Sequence, residues 1–188
     1  MSTGFDRQVG GDFLPDGNFK IDEPLGYFVQ NGDLYLELCA WQRRMVALQV
    51  LHPDMPEYMV VGSPSKVTVL AGFVTDFNSI KFRLFWMFFS PWETKRPPIP
   101  HDAGYRTINW LRKKRVIQRS EHARWRKTFD LLFRESMNYS QPEIAGWKKR
   151  AAYRAVRIFG RFTWMEKQTP SIIKHRGARH TPNSRKPR

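Results

Sequence analysis

The sequence predicts an α+β domain with a small N-terminal antiparallel sheet followed by a helical half of about three helices. Strand-like runs lie before residue 78 and helical apolar spacing follows residue 100, so strands precede helices. The chain of 188 residues is 41% apolar and 14% aromatic, which is enough for one core and too apolar for a disordered chain. We therefore expect a single domain over residues 27–168, with an extended arm at 1–26 and a basic tail at 169–188.

The predicted sheet is drawn from three runs. Residues 1–26 are rich in Gly, Asp and Pro, and this composition is typical of extended chain with little regular structure. The apolar runs at 34–38 and 45–51 are short and strand-like. The best strand candidate is 66–77, because it contains several β-branched residues, and Gly72 within it is expected to mark a bend or bulge.

The predicted helices follow a Pro-rich connector. The first is expected to begin at His101, directly after Pro100, because proline is tolerated before and within a first helical turn. The second covers 121–139 and the third, after a Ser-Gln-Pro break, roughly 143–164. The second helix has a single apolar stripe, formed by Trp125, Phe129, Leu132, Phe133 and Met137.

The charge is large and uneven. The net charge is +15, but residues 1–94 carry 7 Lys and Arg against 11 Asp and Glu, whereas residues 95–188 carry 25 against 6. Such asymmetry favours a polyanionic partner, either nucleic acid, an anionic membrane surface or an acidic protein. A merely solvated basic surface is the simpler interpretation.

The third predicted helix concentrates this charge in an arginine stripe. Arginines recur there at i, i+4, i+7 and i+11, with apolar residues predicted on the opposite side. The stripe suits phosphate groups or a carboxylate-rich partner, and any DNA contact through it would be to the backbone, salt-sensitive and without sequence preference. The stripe consists of Arg150, Arg154, Arg157 and Arg161, and the opposite side of Ala151, Ala155, Ile158, Phe159 and Phe162.

Several classes of protein are disfavoured by simple features of the sequence. Cys39 is the only cysteine, so the chain forms no internal disulfide and lacks the ligands of a structural zinc cluster. The first residues show no signal-peptide pattern, so we expect synthesis in a reducing cytoplasm. The most apolar run, 82–92, contains Arg83 and is too short to span a bilayer. We expect this run in the core or against a neighbouring subunit, with insertion into a lipid interface as the other interpretation.

Four segments carry a family resemblance. They are AGFVTDFNS at 71–79, HDAGYR at 101–106, RKTFDLLF at 126–133 and AVRIFG at 155–160. In this order they resemble a family of uncharacterised proteins of tailed phages and prophages with the pattern GFxTDxxS, HDxxY, RxxxDxxF and AVRxFG, over about residues 66–164. Beside the His and Asp of these motifs, the supporting residues are Thr75, Asp76, Ser79, Tyr105, Arg126 and Phe133.

The helical motifs also predict a contact. At about 100° per residue, His101 and Tyr105 share one face of the first helix, and Asp102 points about a quarter-turn away. On the second helix, Asp130 lies at the rim of the apolar stripe. An antiparallel pair of these helices would bring Asp130 to the His101 ring.

The HDxxY and DxxF pair is similar to the site of viral phospholipase A2. That resemblance implies that His101 is the base that activates water, that Asp130 fixes its tautomer, and that Asp102 helps to hold calcium. The simpler interpretation is structural. In it Asp102 stabilises a helix N-terminus, His101 is a paired core histidine, and Asp130 pairs with Arg126.

Three functions are therefore open. The phage resemblance, the predicted arms and the basic and aromatic residues favour a structural or assembly component of a virion, near the tail, made in the host cytoplasm and bound to other virion proteins. The alternative is a calcium-dependent esterase, similar to phospholipase A2, acting on the bacterial membrane. The second alternative, a non-specific nucleic-acid-binding protein, depends on the charge alone.

Overall fold

The computed structural model describes residues 4–6, 9–15, 18–75, 96–140 and 143–159. Over these residues the chain forms two antiparallel sheets and four α-helices, which confirms the predicted α+β class. One sheet has four strands in the order β1-β4-β6-β5, and the other has three in the order β2-β3-β7. The strands are β1 (Gly4–Phe5), β2 (Gly11–Phe13), β3 (Phe19–Ile21), β4 (Leu25–Phe28), β5 (Met59–Gly62), β6 (Lys66–Val69) and β7 (Val74–Thr75).

The N-terminal segment belongs to both sheets, which differs from the extended arm expected at 1–26. β1 pairs with β4, and β3 lies between β2 and β7. The side chains of Phe19 and Ile21 are buried, so this segment contributes to the core and its strands are held in the sheet. The Gly-rich composition of the segment did not indicate these two core residues. The expected domain limit at residue 168 lies outside the described residues.

The two strands expected at 34–38 and 45–51 are wrong, because both runs belong to one helix, α1 (Gly32–Leu51). Its buried residues recur at helical spacing across the gap between the runs. Asn31 caps the N-terminus, where its side chain accepts a hydrogen bond from the Leu34 amide at 3.0 Å. The buried residues are Leu34, Leu38, Trp41, Met45 and Leu48.

The strand expected at 66–77 is divided between the two sheets. β6 pairs with β4 and β5, while β7 pairs with β3 in the other sheet. Gly72 lies between them with φ of 79°, a conformation that favours glycine, so it does mark the expected bend. β7 ends at Thr75, which is the last described residue before a gap.

The remaining helices follow the predicted order. They are α2 (Pro98–Lys113), α3 (Arg119–Ser136), extended by a 3₁₀ turn at Met137–Tyr139, and α4 (Gly146–Phe159). α2 begins three residues earlier than expected, since Pro98 and Pro100 are both accommodated in its first turn. The predicted apolar stripe of α3 is buried throughout.

α3 is the central helix, in contact with α1, α2 and α4. A main core joins residues of both sheets to α1, α2 and α3, and a smaller cluster lies between α3 and α4. None of the described helices is both long and apolar enough to cross a membrane. The aromatic run at 82–92 and the basic tail at 169–188 lie outside the described residues.

Candidate functional site: a buried histidine–aspartate network

The site is built where α2 and α3 pack closely against each other. Gly104 of α2 faces the ring of Phe129 on α3, and a Cβ atom at this position would lie only 2.3 Å from a ring carbon. The absence of a side chain at Gly104 therefore lets the two helices pack closely. The polar side chains of α2 and α3 that flank this contact are brought within hydrogen-bonding distance.

His101 faces a carboxylate on each side. Its Nε2 atom lies 3.3 Å from Oδ1 of Asp130 on α3, and its Nδ1 atom lies 3.2 Å from Oδ1 of Asp102. The ring also packs against Tyr105, with centroids 4.2 Å apart, and against Phe133, with centroids 5.3 Å apart. The structure therefore brings together the histidine and the aspartate that the two helical motifs contain.

Asp130 is the hub of the network and is fully buried. Its Oδ1 atom accepts a hydrogen bond from the hydroxyl of Tyr105 as well as facing His101. Its Oδ2 atom accepts a hydrogen bond of 2.7 Å from the guanidinium of Arg157 on α4. Three helices thus meet at this one carboxylate.

The basic partner of Asp130 is Arg157, where the structural interpretation expected Arg126. Arg126 instead donates a hydrogen bond of 3.1 Å to the backbone carbonyl of Arg157. The AVRxFG segment that contains Arg157 was part of the resemblance. Its position in the arginine stripe nevertheless hid this inward role, because a repeat of like charges normally indicates a solvated face.

Asp102 links the helices to the sheet. Its Oδ2 atom accepts a hydrogen bond of 2.5 Å from the hydroxyl of Thr75, at the end of β7. Thr75 is itself fully buried. The motif residue Thr75 therefore meets the HDxxY motif directly, while Asp76 and Ser79 of the same segment lie outside the described residues.

The carboxylates control the protonation of His101. Burial disfavours the imidazolium, but hydrogen bonds and attraction from Asp102 and Asp130 outweigh burial and raise the pKa of His101 to about 9. Burial likewise acts to raise the pKa of Asp130, but the hydrogen bonds from His101, Tyr105 and Arg157 and the charge of His101 lower it. The pKa of the Tyr105 hydroxyl is raised by burial and by the adjacent Asp130.

The network is balanced in formal charge when His101 is protonated. Two carboxylates, Asp102 and Asp130, face one imidazolium, His101, and one guanidinium, Arg157, so the formal charges cancel. Each nitrogen of His101 donates to a carboxylate in this protonation state. The arrangement can hold α2, α3, α4 and β7 together, and His101 becomes a base only when it loses a proton.

The described residues do not fit the calcium ion that the phospholipase resemblance implies. Calcium binds six to eight oxygen ligands in most protein sites. Both oxygens of Asp102 already face hydrogen-bond donors. Over the described part of the chain, no three His, Cys, Asp or Glu side chains are grouped as a metal site.

The arginine stripe of α4 does not form one outward face. Arg150 and Arg154 are exposed, but Arg157 turns towards Asp130. Arg161 and Phe162 lie outside the described residues. The side of α4 that was expected to be buried and apolar is partly exposed, since Ile158 is 57% exposed and Ala151 is exposed as well. The face that packs against α3 is formed by Ala152, Tyr153 and Val156.

The fold and the network define an α+β protein in which three helices and a strand converge on a buried His–Asp cluster. The chain matches a family described as "Protein of unknown function (DUF1353)" over residues 55–156, and it belongs to this family. The matched segment contains Thr75, His101, Asp102, Tyr105 and Asp130 and ends one residue before Arg157. No curated protein and no solved structure matches the chain.

Proposed function

We propose that this protein is a structural or assembly component of a bacteriophage virion, associated with the tail. The observation that carries the proposal is that His101, Asp102 and Asp130 are paired with one another and with other residues of the same chain. Apolar and basic side chains remain exposed at the surface. The four motif segments, which resemble proteins of tailed phages, provide the viral setting. The protein would be made in the host cytoplasm and incorporated into the particle with other virion proteins.

The closed network supports a structural role for the residues most suited to catalysis. A general base must be unprotonated and must reach the proton that it abstracts. The raised pKa of His101 keeps the ring protonated at neutral pH, and both ring nitrogens face carboxylates of the same chain. His101 and Asp130 therefore serve the stability of the fold in this proposal.

The surface supports a role in binding. Large apolar side chains are exposed on several elements, and in this proposal part of this surface is buried against a partner. α4 adds exposed basic residues at Arg150 and Arg154. The exposed large apolar residues are Phe13, Leu36, Val46, Val50, Leu51, Trp147 and Ile158.

The direct test is the protein composition of purified particles. We expect quantitative mass spectrometry to find the protein at a constant copy number per particle, in the tail fraction after heads and tails are separated. Deleting residues 170–188 should reduce this copy number, because the basic C-terminal residues of the chain are proposed to contact neighbouring virion proteins. Absence of the protein from particles, with abundance only in the lysate, would contradict the proposal.

A calcium-dependent esterase acting on the bacterial membrane is the second candidate. It is favoured by one observation: His101 Nε2 lies 3.3 Å from Oδ1 of Asp130. The same oxygen also accepts a hydrogen bond from the Tyr105 hydroxyl. The resemblance implies that His101 is the base and that Asp130 fixes its tautomer, whereas the described residues around Asp102 do not fit the calcium ion. His101 would have to lose a proton before acting as a base, so activity should rise towards alkaline pH.

Hydrolysis of phospholipid vesicles separates the two candidates. The assay uses the full chain with calcium and with a chelator, beside His101→Asn, with folding of both proteins checked by circular dichroism. Calcium-dependent release of fatty acid by wild type, lost in a folded His101→Asn variant, would establish the esterase. No release under either condition, together with a less stable variant, agrees with the structural proposal.

A further inference from the structure

The solvent side of α1 is apolar along most of its length. We define the outer face of α1 as Leu36, Arg43, Val46, Ala47, Val50 and Leu51, all exposed and lying within an arc of about 140° at about 100° per residue. The exposed fractions are 65% for Leu36, 54% for Val46, 77% for Val50 and 71% for Leu51. Because the opposite side of the helix is buried in the core, α1 carries apolar side chains on two opposite sides, a pattern typical of a helix covered on both sides.

The outer face is preformed. Five residues of α1 are buried against the core, and Asn31 caps its first turn. Two ion pairs also fix the helix to α3, Arg124–Glu37 at 3.0 Å and Arg44–Glu121 at 3.1 Å. The apolar side chains are therefore displayed by a helix about 30 Å long that needs no rearrangement to bind a flat surface.

A cluster of basic residues adjoins the C-terminal end of this face. We define the basic turn as Lys113, Lys114 and Arg115, at the end of α2, and all three residues are exposed. Lys114 lies 3.4 Å from Asp54, three residues beyond the end of α1, and the ring of Trp110 lies 6.5 Å from that of His52. These contacts bring the basic turn beside the apolar end of α1.

The charges on and around the face are mostly positive. The outer face contains Arg43 at its middle, and the exposed Asp33 lies within the same arc but in the first turn of α1, at the far end from the basic turn. A two-fold contact between antiparallel copies of α1 through this face would bring the two Arg43 side chains together, because Arg43 lies midway between Leu36 and Leu51. Like charges at the centre of the contact disfavour such a dimer.

We propose that the outer face of α1 and the basic turn bind the surface of an anionic lipid bilayer. The apolar side chains enter the boundary between headgroups and acyl chains, while Arg43 extends its guanidinium to the phosphates. The basic turn adds attraction to the negative surface. This inference goes beyond a role in the virion and does not depend on it, because it uses only the surface of α1 and α2.

Vesicle flotation tests the proposal with the full chain. We expect the protein to float with vesicles that contain one-quarter phosphatidylglycerol, and to remain unbound with pure phosphatidylcholine. Val50→Ser with Leu51→Ser should weaken partitioning at least about tenfold, since both methyl-rich side chains lose their apolar contact. Neutralising the basic turn to Gln should weaken it about fivefold per charge, since each basic residue contributes about 1 kcal/mol near an anionic surface.

Matched variants elsewhere provide the control. Ile158→Ser removes an apolar side chain from α4 that is also more than half exposed, and Arg150→Gln with Arg154→Gln removes two exposed charges there. Both control proteins should bind vesicles as wild type does. Binding that falls equally in the control and test variants would overturn the assignment to α1, because it would reflect total charge and hydrophobicity.

A fluorescent label reports the location of the contact. The chain has one cysteine, so Val50→Cys in a Cys39→Ser background places a polarity-sensitive dye on the outer face alone. We expect a blue shift of the dye with anionic vesicles and none with Ile158→Cys in the same background. No binding to any vesicle would overturn the proposal. Dimerisation would also overturn it, if sedimentation showed that dimers form with rising protein concentration and that Val50→Ser with Leu51→Ser abolishes them. That result would assign the outer face to a second copy of the chain.

Discussion

Individual residues of the network act through the carboxylate of Asp130. A carboxylate buried to this degree is costly unless it is paired and hydrogen-bonded. Asp130 is compensated by His101, Tyr105 and Arg157, each from a different position along the chain. The loss of any one partner should therefore cost more than an ordinary surface contact.

Tyr105→Phe isolates the hydroxyl in this network. We expect the variant to fold and to lose about 1–3 kcal/mol of unfolding free energy, because one oxygen of a buried charged acceptor loses one of its two partners. Tyr35→Phe is the matched control, since its hydroxyl bonds the Gly62 carbonyl at an exposed position. That control should lose less than about 0.5 kcal/mol. Urea denaturation measures both, and equal losses would contradict the role given to Asp130.

The raised pKa of His101 predicts a pH dependence of stability. The pKa is about 9 in the fold against an ordinary 6.5, so the stabilisation is fully present below pH 6.5 and is lost as the pH rises through 9. The loss should total about 3 kcal/mol. Unfolding free energies of wild type and His101→Asn, measured from pH 6 to pH 10, should converge with rising pH. A constant difference across this range would show that His101 does not titrate as proposed.

At the scale of the elements, the contact of α2 with α3 depends on Gly104. Gly104→Ala should lower the free energy of unfolding by about 1–3 kcal/mol, because the new methyl group would overlap the Phe129 ring. Gly146→Ala is the control, since it lies in an exposed helical turn with only the far end of Arg150 near its Cβ position. It should be neutral or stabilising by up to about 1 kcal/mol. Stabilisation by both substitutions would show that the helices separate without cost.

The docking of α4 on α3 depends on Arg157. Arg157→Gln should reduce stability by about 2 kcal/mol, because it removes a charged partner of the buried Asp130; the figure allows for the partial exposure of Arg157. Amide exchange in α4 should accelerate more than exchange in α1. Arg154→Gln, on the same helix but exposed, should change neither quantity appreciably. Equal effects of the two substitutions would contradict a specific role for Arg157.

At the scale of the whole molecule, the N-terminal residues are required for both sheets. Removing residues 1–23 deletes β1, β2 and β3, which leaves β4 paired with β6 alone and removes the one described strand that pairs with β7. We expect the shortened chain to lose cooperative thermal unfolding. Asp12→Ala, an exposed change within β2, should alter stability by less than about 0.5 kcal/mol. A cooperative transition in the shortened chain would show that the strands are dispensable.

Local patterns in the sequence determine much of this protein. The order of strands and helices, the buried stripe of α3 and the bend at Gly72 all follow from spacing and residue type, which act over a few positions. The same helical periodicity places His101 and Tyr105 on one face of α2. α1 is the exception, because each of its two apolar runs by itself resembles a short strand, although the buried spacing continues through residues 39–44 between them.

Only the tertiary structure decided how these elements combine. The pairing of β1 with β4 and of β3 with β7 joins residues far apart in the chain, and no local pattern specifies such partners. The choice of Arg157 over Arg126 as the partner of Asp130 depends on how α4 lies against α3. The protonation of His101 likewise depends on two carboxylates that packing brings together, because a pKa is set by surroundings that the sequence does not order in space.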